Sequence, residues 1–195
     1  MDEDFGTVVI RDTLRWLERA VIGLNLCPFA KAVHVKGQIH CRVSWAQDDA
    51  ALLQALEEEL LALASADPDL RDTTLLIAPD AFAEFLDFND FLPRADRLLQ
   101  RLDLVGTLQI APFHPQFQFA GTSKDDVTNF TNRSPYPMLH LIREASIDRA
   151  VQAFPDAEAI FEVNMATMER LGPAGWAALD VGPSRPATDC GKLGR

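Results

Sequence analysis

The histidine at position 114 is the first candidate for chemistry. It lies between Phe113 and Pro115, directly after a short apolar run that predicts a strand, so its ring is held on a stiff and partly apolar support. A neutral imidazole with a pKa near its reference value of about 6.5 suits a general base or a metal ligand. We predict that His114 is a catalytic acid and base. The alternative is a packing role at the rim of the sheet, with one ring nitrogen bonded to the main chain.

The polar segment that follows His114 carries many hydrogen-bonding side chains just before a predicted helix. Arg133 offers a planar fork for a carboxylate or phosphate, and a helix starting at Pro137 would add free N–H groups and a partial positive charge. These features predict a small anionic ligand, with Asp126 as a further catalytic candidate. The predicted ligand-binding residues are Lys124, Asn129, Asn132, Arg133 and Tyr136. The alternative is a loop pinned by Asx turns in which Arg133 pairs with Asp125 or Asp126.

His140 and Glu144 are four residues apart in the helix predicted to start at Pro137. Side chains at that spacing share one face of a helix, so the carboxylate could orient the imidazole, or both groups could bind a metal. Both residues are therefore catalytic candidates. A metal-dependent enzyme would use His114, His140 and Glu144 with the Asp126 carboxylate, but these spacings match no known ligand signature and we assign no metal ligand. A surface or packing role for His140 and Glu144 is the other interpretation.

Three cysteines, Cys27, Cys41 and Cys190, are far apart and form no Cys-x-x-Cys pair. This pattern indicates neither a disulfide framework nor a structural zinc site. Cys27 follows the first predicted helix, and a buried structural role is favoured there over that of a nucleophile. Cys41 has the apolar parity of a predicted strand and is expected in the core, whereas Cys190 is expected to be accessible.

The elements that must position these residues follow from hydrophobic periodicity. Apolar residues recur at helical spacing over about residues 12–24 and again after Asp48, and residues 39–45 alternate with a period of two, as in a half-buried strand. Short apolar runs at 73–78 and 105–111 predict two further strands, because each is bounded by turn residues.

The order of these elements predicts the fold class. Strands separated by helices of this length pair in parallel through right-handed crossovers. The chain is therefore predicted to be a single-domain layered α/β fold, in which helices flank a small, mainly parallel sheet of three or more strands. Residues 1–171 would form this domain, and residues 172–195 a Gly/Pro-rich C-terminal tail that wraps loosely or frays.

Composition narrows the classes of function. The 195 residues carry 18 basic and 29 acidic side chains, and the net charge of -11 repels the phosphate backbone of nucleic acid. No apolar run reaches the roughly 20 residues that a membrane span needs, and the acidic start lacks the basic region of a signal peptide. We expect a cytoplasmic protein with no nucleic-acid or membrane partner. Neither a cofactor nor an oligomeric state is assigned.

Three segments carry a resemblance to a known family. They are Gly-Leu-Asn-Leu-Cys-Pro-Phe-Ala at 23–30, Ala-Pro-Phe-His-Pro-Gln-Phe-Gln-Phe at 111–119, and Asn-Arg-Ser-Pro-Tyr-Pro-Met-Leu-His-Leu-Ile-Arg-Glu at 132–144. The chain resembles the bacterial domain of unknown function 1415 family over nearly its whole length to about Leu171. The resemblance implies one intact domain and supplies no mechanism.

Three functional hypotheses follow. The first is a small cytoplasmic enzyme that acts on a small anionic metabolite, with a site built from residues 111–144. The second is the metal-dependent enzyme described above. The third, from a different class, is a non-catalytic ligand-binding or protein-interaction module whose aromatic loop is the docking surface.

Overall fold

The structure is a computed structural model that describes residues 4–153 and 159–184. The end of the predicted tail, with Cys190, lies outside the described residues. The helices are α1 (Phe5–Trp16), which continues as a π-helical segment (Leu17–Ile22), α2 (Ala30–Val35), α3 (Asp49–Ser65), α4 (Phe85–Arg101), α5 (Glu144–Ala153) and α6 (Ile160–Ala178). The strands are β1 (Ile39–Val43), β2 (Thr73–Ile77), β3 (Leu108–Phe113) and β4 (Met138–Arg143), and a 3-10 helix spans Val127–Asn132.

The four strands form one sheet in the order β1-β2-β4-β3. β1 and β2 are parallel, whereas β4 is antiparallel to both of its neighbours, β2 and β3. The prediction of a helix-flanked α/β sheet is confirmed, but the prediction that the sheet is mainly parallel is wrong. The first three strands do share one direction. β4 makes the sheet mixed because it is inserted, reversed, between β2 and β3.

The predicted helix from Pro137 is also wrong, because this segment forms β4 and the helix begins only at Glu144. Leu139 and Leu141 face the α3 and α4 side of the sheet, and Met138 faces the α1 side. A central strand with apolar residues on both faces shows no clean alternation of period two, so its pattern cannot be told from that of a buried helix.

Each face of the sheet has its own apolar core. On one face, α3 and α4 bury leucines and phenylalanines, among them Leu56, Phe88 and Phe91, against β2, β3 and β4. On the other face, α1, its π-helical extension and the end of α6 cover the second core. The period-two prediction for β1 is confirmed, since Ile39, Cys41 and Val43 are partly buried on the α1 side while His40 and Arg42 are exposed.

The carboxylate of Asp12, which is fully buried in α1, joins three distant parts of the chain. It accepts hydrogen bonds from the Tyr136 hydroxyl at 2.9 Å and from the main-chain N–H and hydroxyl of Ser184 at 2.7 and 2.5 Å, and Arg15 lies 3.0 Å away. Burial acts to raise the pKa of Asp12, but the bonds from Ser184 and Tyr136 and the charge of Arg15 outweigh it and hold the pKa below its usual value.

The chain beyond the predicted domain boundary at residue 171 is packed against α1. α6 kinks at Gly172, where φ is 64°, and continues to Ala178. Val181 is buried in the α1-side core, and the Arg15 guanidinium donates to the carbonyl oxygens of Asp180 and Gly182. Residues 172–184 therefore belong to the folded body, because they supply donors and acceptors that α1 requires.

The Asp12 network yields a stability prediction. We expect Asp12→Ala to destabilise the protein by about 3 kcal/mol, because it leaves the buried Tyr136 hydroxyl and the Arg15 charge without their partner. Tyr136→Phe should lower the free energy of unfolding by about 1 kcal/mol. The double variant should be destabilised by less than the sum of the two single effects, because the two side chains bond each other. Urea unfolding measures these free energies.

Asp96, an exposed residue of α4, provides the matched control. Asp96→Ala should change the free energy of unfolding by no more than about 0.5 kcal/mol. Equal, small effects of Asp12→Ala and Asp96→Ala would show that the network does not hold the fold together.

Candidate functional site

A cleft of about 220 Å³ opens at the carboxyl end of β3, on the face of the sheet that α1 covers. Three separate parts of the chain form its walls: the end of α1 with the following turn, the segment after β3, and the start of α6. The lining residues are Val21, Leu26, Cys27, Phe113, Phe119, Thr131, Asn132, Phe161 and Asn164.

The turn that carries Cys27 depends on a close approach of the main chain. A Cβ atom at Gly23 would lie 2.3 Å from the carbonyl oxygen of Arg19, so a larger residue there would force the turn open. Asn25 adopts a φ of 56°, and the N–H of Leu26 donates to the carbonyl oxygen of Val21 at 2.9 Å. These constraints place Cys27, which is partly exposed, in the cleft wall.

Two asparagines tie the other walls together. The side-chain N–H of Asn164 donates to the carbonyl oxygen of Leu26 at 2.9 Å, joining α6 to the turn. The side-chain N–H of Asn132 donates to the carbonyl oxygen of Pro112 at 3.2 Å, joining the 3-10 helix to β3. The rings of Phe119 and Phe161 meet edge to face, with their centres 6.3 Å apart. The walls of the cleft are therefore joined by hydrogen bonds and a ring contact within the protein.

His114 lies outside the cleft, on the opposite face of the sheet. It is buried, with a fractional exposure of 1%, and packs on Phe85 and Phe88 of α4. Its Nε2 is 2.8 Å from the carbonyl oxygen of Phe82, and its Nδ1 accepts the N–H of Gln116 at 3.0 Å. Burial lowers the pKa of His114. Both ring nitrogens of a neutral imidazole are thus hydrogen-bonded within the protein.

His140 and Glu144 do not share a helix face, so that prediction is wrong. His140 lies in β4 and pairs with Leu75 on β2, on the α1 side of the sheet, whereas Glu144 is the first residue of α5. The Thr73 hydroxyl donates to the carbonyl oxygen of Leu141 at 2.5 Å, so it accepts the Nε2–H of His140 at 2.7 Å. Burial lowers the pKa of His140 to about 4, so this ring is neutral at pH 7.

The residues of the metal-dependent alternative are not brought together. His114 and His140 lie on opposite faces of the sheet, against Phe88 and Phe113 respectively. Within residues 4–153 and 159–184, no three histidine, cysteine, aspartate or glutamate side chains are placed so that they could hold one metal ion.

Asp126 and Asn129 order the segment between β3 and β4. Asp126 accepts from the N–H and the hydroxyl of Thr128, and these bonds lower its pKa. The fully buried Asn129 accepts from the N–H of Phe119 and the hydroxyl of Thr122, both at 2.9 Å, and donates to the carbonyl oxygen of Ser123. Both side chains bond to their own loop, as the Asx-turn alternative expects.

Arg133 also stabilises the segment between β3 and β4. Its guanidinium donates to the carbonyl oxygens of Phe117 at 3.3 Å and Lys124 at 2.7 Å, and its centre lies 4.7 Å from the ring centre of Phe130. Burial lowers its pKa, while the charge of Asp125 opposes that shift. Lys124 is exposed and contributes its carbonyl oxygen.

A family model described as a protein of unknown function (DUF1415) matches residues 8–178. The chain belongs to this family. No curated protein and no solved structure matched it. In the described part of the chain, no helix has both the length and the apolar character to cross a bilayer.

The segments on which the DUF1415 resemblance rests meet at the cleft. Residues 23–30 supply Leu26 and Cys27, residues 111–119 supply Phe113 and Phe119, and residues 132–144 supply Asn132. Of the predicted site residues, only Asn132 lines the cleft. Tyr136 instead bonds Asp12, and burial raises its pKa.

Sequence reasoning missed Phe161 and Asn164 and placed Cys27 elsewhere. The sequence favoured a buried structural role for Cys27, but the turn after α1 brings this partly exposed residue to the cleft at the end of β3. The resemblance of residues 23–30 to the DUF1415 family was the one sequence feature that pointed to a site at Cys27. Phe161 and Asn164 carry no local signal, because they resemble the ordinary residues of an amphipathic helix.

His114, which is buried, and His140, which is partly buried in β4, predict how stability depends on pH. The unfolded-state pKa is about 6.5, and the folded-state pKa values of His114 and His140 are lower, so between pH 6.5 and about 4 the unfolded chain binds more protons. Their contribution to stability is complete above pH 6.5 and falls as the pH is lowered through this window. Urea unfolding at a series of pH values should show that, between pH 6.5 and about 4, the free energy of unfolding falls less for His140→Leu than for the wild type.

Nuclear magnetic resonance of the imidazole nitrogens tests the same point directly. The ring of His140 should remain neutral and protonated on Nε2 down to about pH 5. A titration midpoint above pH 6.5 for His140 would contradict the burial account.

Arg133 provides a further prediction. Arg133→Lys should destabilise the protein by about 1–2 kcal/mol, because a lysine ammonium cannot reach two carbonyl oxygens and lie flat on Phe130 at once. Arg101→Lys, at an exposed position of α4, is the matched control and should change little. Thermal unfolding of both variants measures the difference, and equal melting temperatures would mean that Arg133 does not hold the loop.

Proposed function

We propose that this protein binds a small molecule in the cleft beside Cys27. What supports the proposal is the convergence of three distant chain segments on one concave site, where aromatic rings surround a few polar groups. Small-molecule sites in proteins have this composition, with mostly apolar walls and a few placed hydrogen-bonding atoms. The lining residues that carry a polar side-chain group are Cys27, Thr131, Asn132 and Asn164.

The size of the cleft limits the ligand. Its volume of about 220 Å³ exceeds the roughly 150 Å³ in which an engineered apolar cavity holds benzene. The ligand should therefore contain one ring, or an apolar group of that size, with a short polar substituent. A nucleotide or another molecule with several rings is too large to be enclosed.

Ligand binding is supported better than acid–base catalysis. Among the described residues that line the cleft, Cys27 is the one with a titratable side chain, and none is a histidine, carboxylate, lysine or arginine. A cysteine becomes a nucleophile or base when a nearby base or positive charge lowers its pKa, and the lining residues supply neither. His114, the predicted catalytic acid and base, has both ring nitrogens occupied on the far face of the sheet. A non-catalytic binding role is thus favoured over the two enzyme hypotheses.

Chemical blocking of Cys27 tests the proposal. N-ethylmaleimide on Cys27 would occupy the cleft with a ring of its own, so binding of one-ring fragments should weaken by at least about tenfold. The experiment uses the Cys190→Ser variant, in which Cys27 and Cys41 are the remaining thiols. Burial raises the pKa of Cys41 to about 11, so Cys41 is expected to resist the reagent at neutral pH.

Fragment binding is read by ligand-observed nuclear magnetic resonance before and after alkylation. The matched control is the Cys27→Ser, Cys190→Ser protein treated in the same way. Its affinity for the fragments should be the same before and after treatment, because it carries no adduct in the cleft. Fragments that bind equally well to the alkylated protein, or a library in which no one-ring fragment binds, would refute the proposal.

A further inference from the structure

We propose that the outer edge of β1 binds an extended segment of a partner protein, in which apolar and acidic side chains alternate and which adds a further strand to the sheet. This surface is separate from the cleft, and the proposal does not depend on the binding function proposed there. It follows from the main-chain groups that β1 leaves unpaired and from the positive charge beside them.

The outer edge of β1 carries a row of main-chain donors and acceptors. β1 lies at one end of the sheet, with β2 as its single neighbour. Ser44, directly after β1, donates its N–H to the carbonyl oxygen of Ile77 at 2.8 Å, so the even-numbered residues bond β2. Main-chain groups alternate between the two sides of a strand. The residues whose N–H and C=O groups point away from the sheet are therefore Ile39, Cys41 and Val43.

These outward groups are unpaired. Within residues 4–153 and 159–184, no hydrogen bond reaches the main-chain N–H or C=O of Ile39, Cys41 or Val43 from another part of the chain. The opposite edge of the sheet, β3, is protected, because Pro112 has no N–H and its carbonyl oxygen accepts from Asn132 at 3.2 Å. β1 contains no proline. An open edge of this kind is a template for pairing with another chain.

A positive cluster flanks this edge on the α3 side of the sheet, where His40 and Arg42 are exposed. Glu59 of α3 is largely buried and accepts a hydrogen bond from the guanidinium of Arg71, which also donates to the hydroxyl of Thr74 at 2.7 Å. Nε of Arg42 lies 3.8 Å from the same carboxylate. Among the described residues, neither guanidinium pairs with any other carboxylate. Two guanidinium groups thus share one carboxylate, which leaves the cluster with a net positive charge.

The other face of the same edge is apolar. Ile39, Cys41 and Val43 are partly buried in the α1-side core. Trp45, whose ring contacts that of a phenylalanine at the start of α1, is 48% exposed. Neighbouring strands place their side chains next to each other on each face of a sheet. An added strand would therefore meet apolar groups with one set of its side chains and Arg42 with the alternate set.

Charge selects the partner. Two-fold pairing of β1 with the β1 of a second copy would bring both positive clusters onto one face of the joined sheet. Glutamate or aspartate on a partner strand would instead neutralise the charge of Arg42, and cross-strand pairs of opposite charge stabilise a sheet whereas like charges destabilise it. The main chain of the partner would supply the hydrogen bonds that the edge lacks, as in other cases of strand addition.

Two synthetic peptides test the proposal: Thr-Val-Glu-Val-Glu-Val-Thr and the same sequence with lysine in place of glutamate. The glutamate peptide should bind the full-length protein at least about tenfold more tightly, as measured by fluorescence anisotropy of a labelled peptide. Methylation of its main-chain nitrogens should remove binding, because it removes the donors of the ladder. Equal affinities of the two peptides, no binding of either, or undiminished binding of the methylated peptide would overturn the proposal.

A pair of variants at position 41 locates the binding on β1. Cys41→Pro deletes an outward N–H and leaves the bonds to β2 in place, whereas Cys41→Val keeps that N–H and is the matched control. The proline variant should bind the glutamate peptide at least about tenfold more weakly than the valine variant. Equal affinities of the two folded variants would show that the peptide does not pair with this edge.

Reversal of one charge tests the choice of partner and does not depend on the proline variant. Arg42→Glu should bind the lysine peptide more tightly than the glutamate peptide, and such a gain cannot arise from misfolding. Arg101→Glu, at an exposed position of α4, is the matched control and should keep the order of the wild type. An Arg42→Glu protein that still prefers the glutamate peptide would refute the acidic partner. A concentration-dependent dimer that Cys41→Pro abolishes would also refute it, because a second copy would then occupy the edge.

Discussion

The pairing of β4 between β2 and β3 is the constraint on which the rest of the structure depends. Because β3 and β4 are antiparallel neighbours, the connection over residues 114–137 must begin and end at the same edge of the sheet. A segment of that length cannot form a tight hairpin. It packs instead over the carboxyl end of β3, and its 3-10 helix contacts α6. The cleft is the space left between this segment, α6 and the turn after α1.

The side chains that resemble an active site in the sequence are mostly used to hold this segment in place. Asn129 and Arg133 satisfy main-chain groups of the loop, and Tyr136 reaches the buried carboxylate of Asp12. A long loop has many main-chain donors and acceptors that no regular ladder can pair, so it requires such side chains. The result is a cleft whose walls are already formed before any ligand enters.

Position relative to the sheet separates the two histidines. His114 directly follows β3 and packs on α4, while His140 projects from the other face, so the sheet itself lies between their rings. Each has its N–H bonded inside the protein and a pKa lowered by burial. Histidines that are kept neutral in this way stabilise the fold at neutral pH and weaken it in acid.

The sequence by itself determined the features that depend on local pattern: the helix in α1, the alternation of β1, the buried run of β2, the helix-flanked α/β class and membership of the family. The exchange of helix for strand at residues 138–143 was decided only by the tertiary structure, since β4 is buried on both faces and its composition suits either form. The cleft was likewise beyond sequence reasoning. Cys27, Asn132 and Asn164 lie far apart in the chain, and only the packing of α1 and α6 around the end of β3 brings them together.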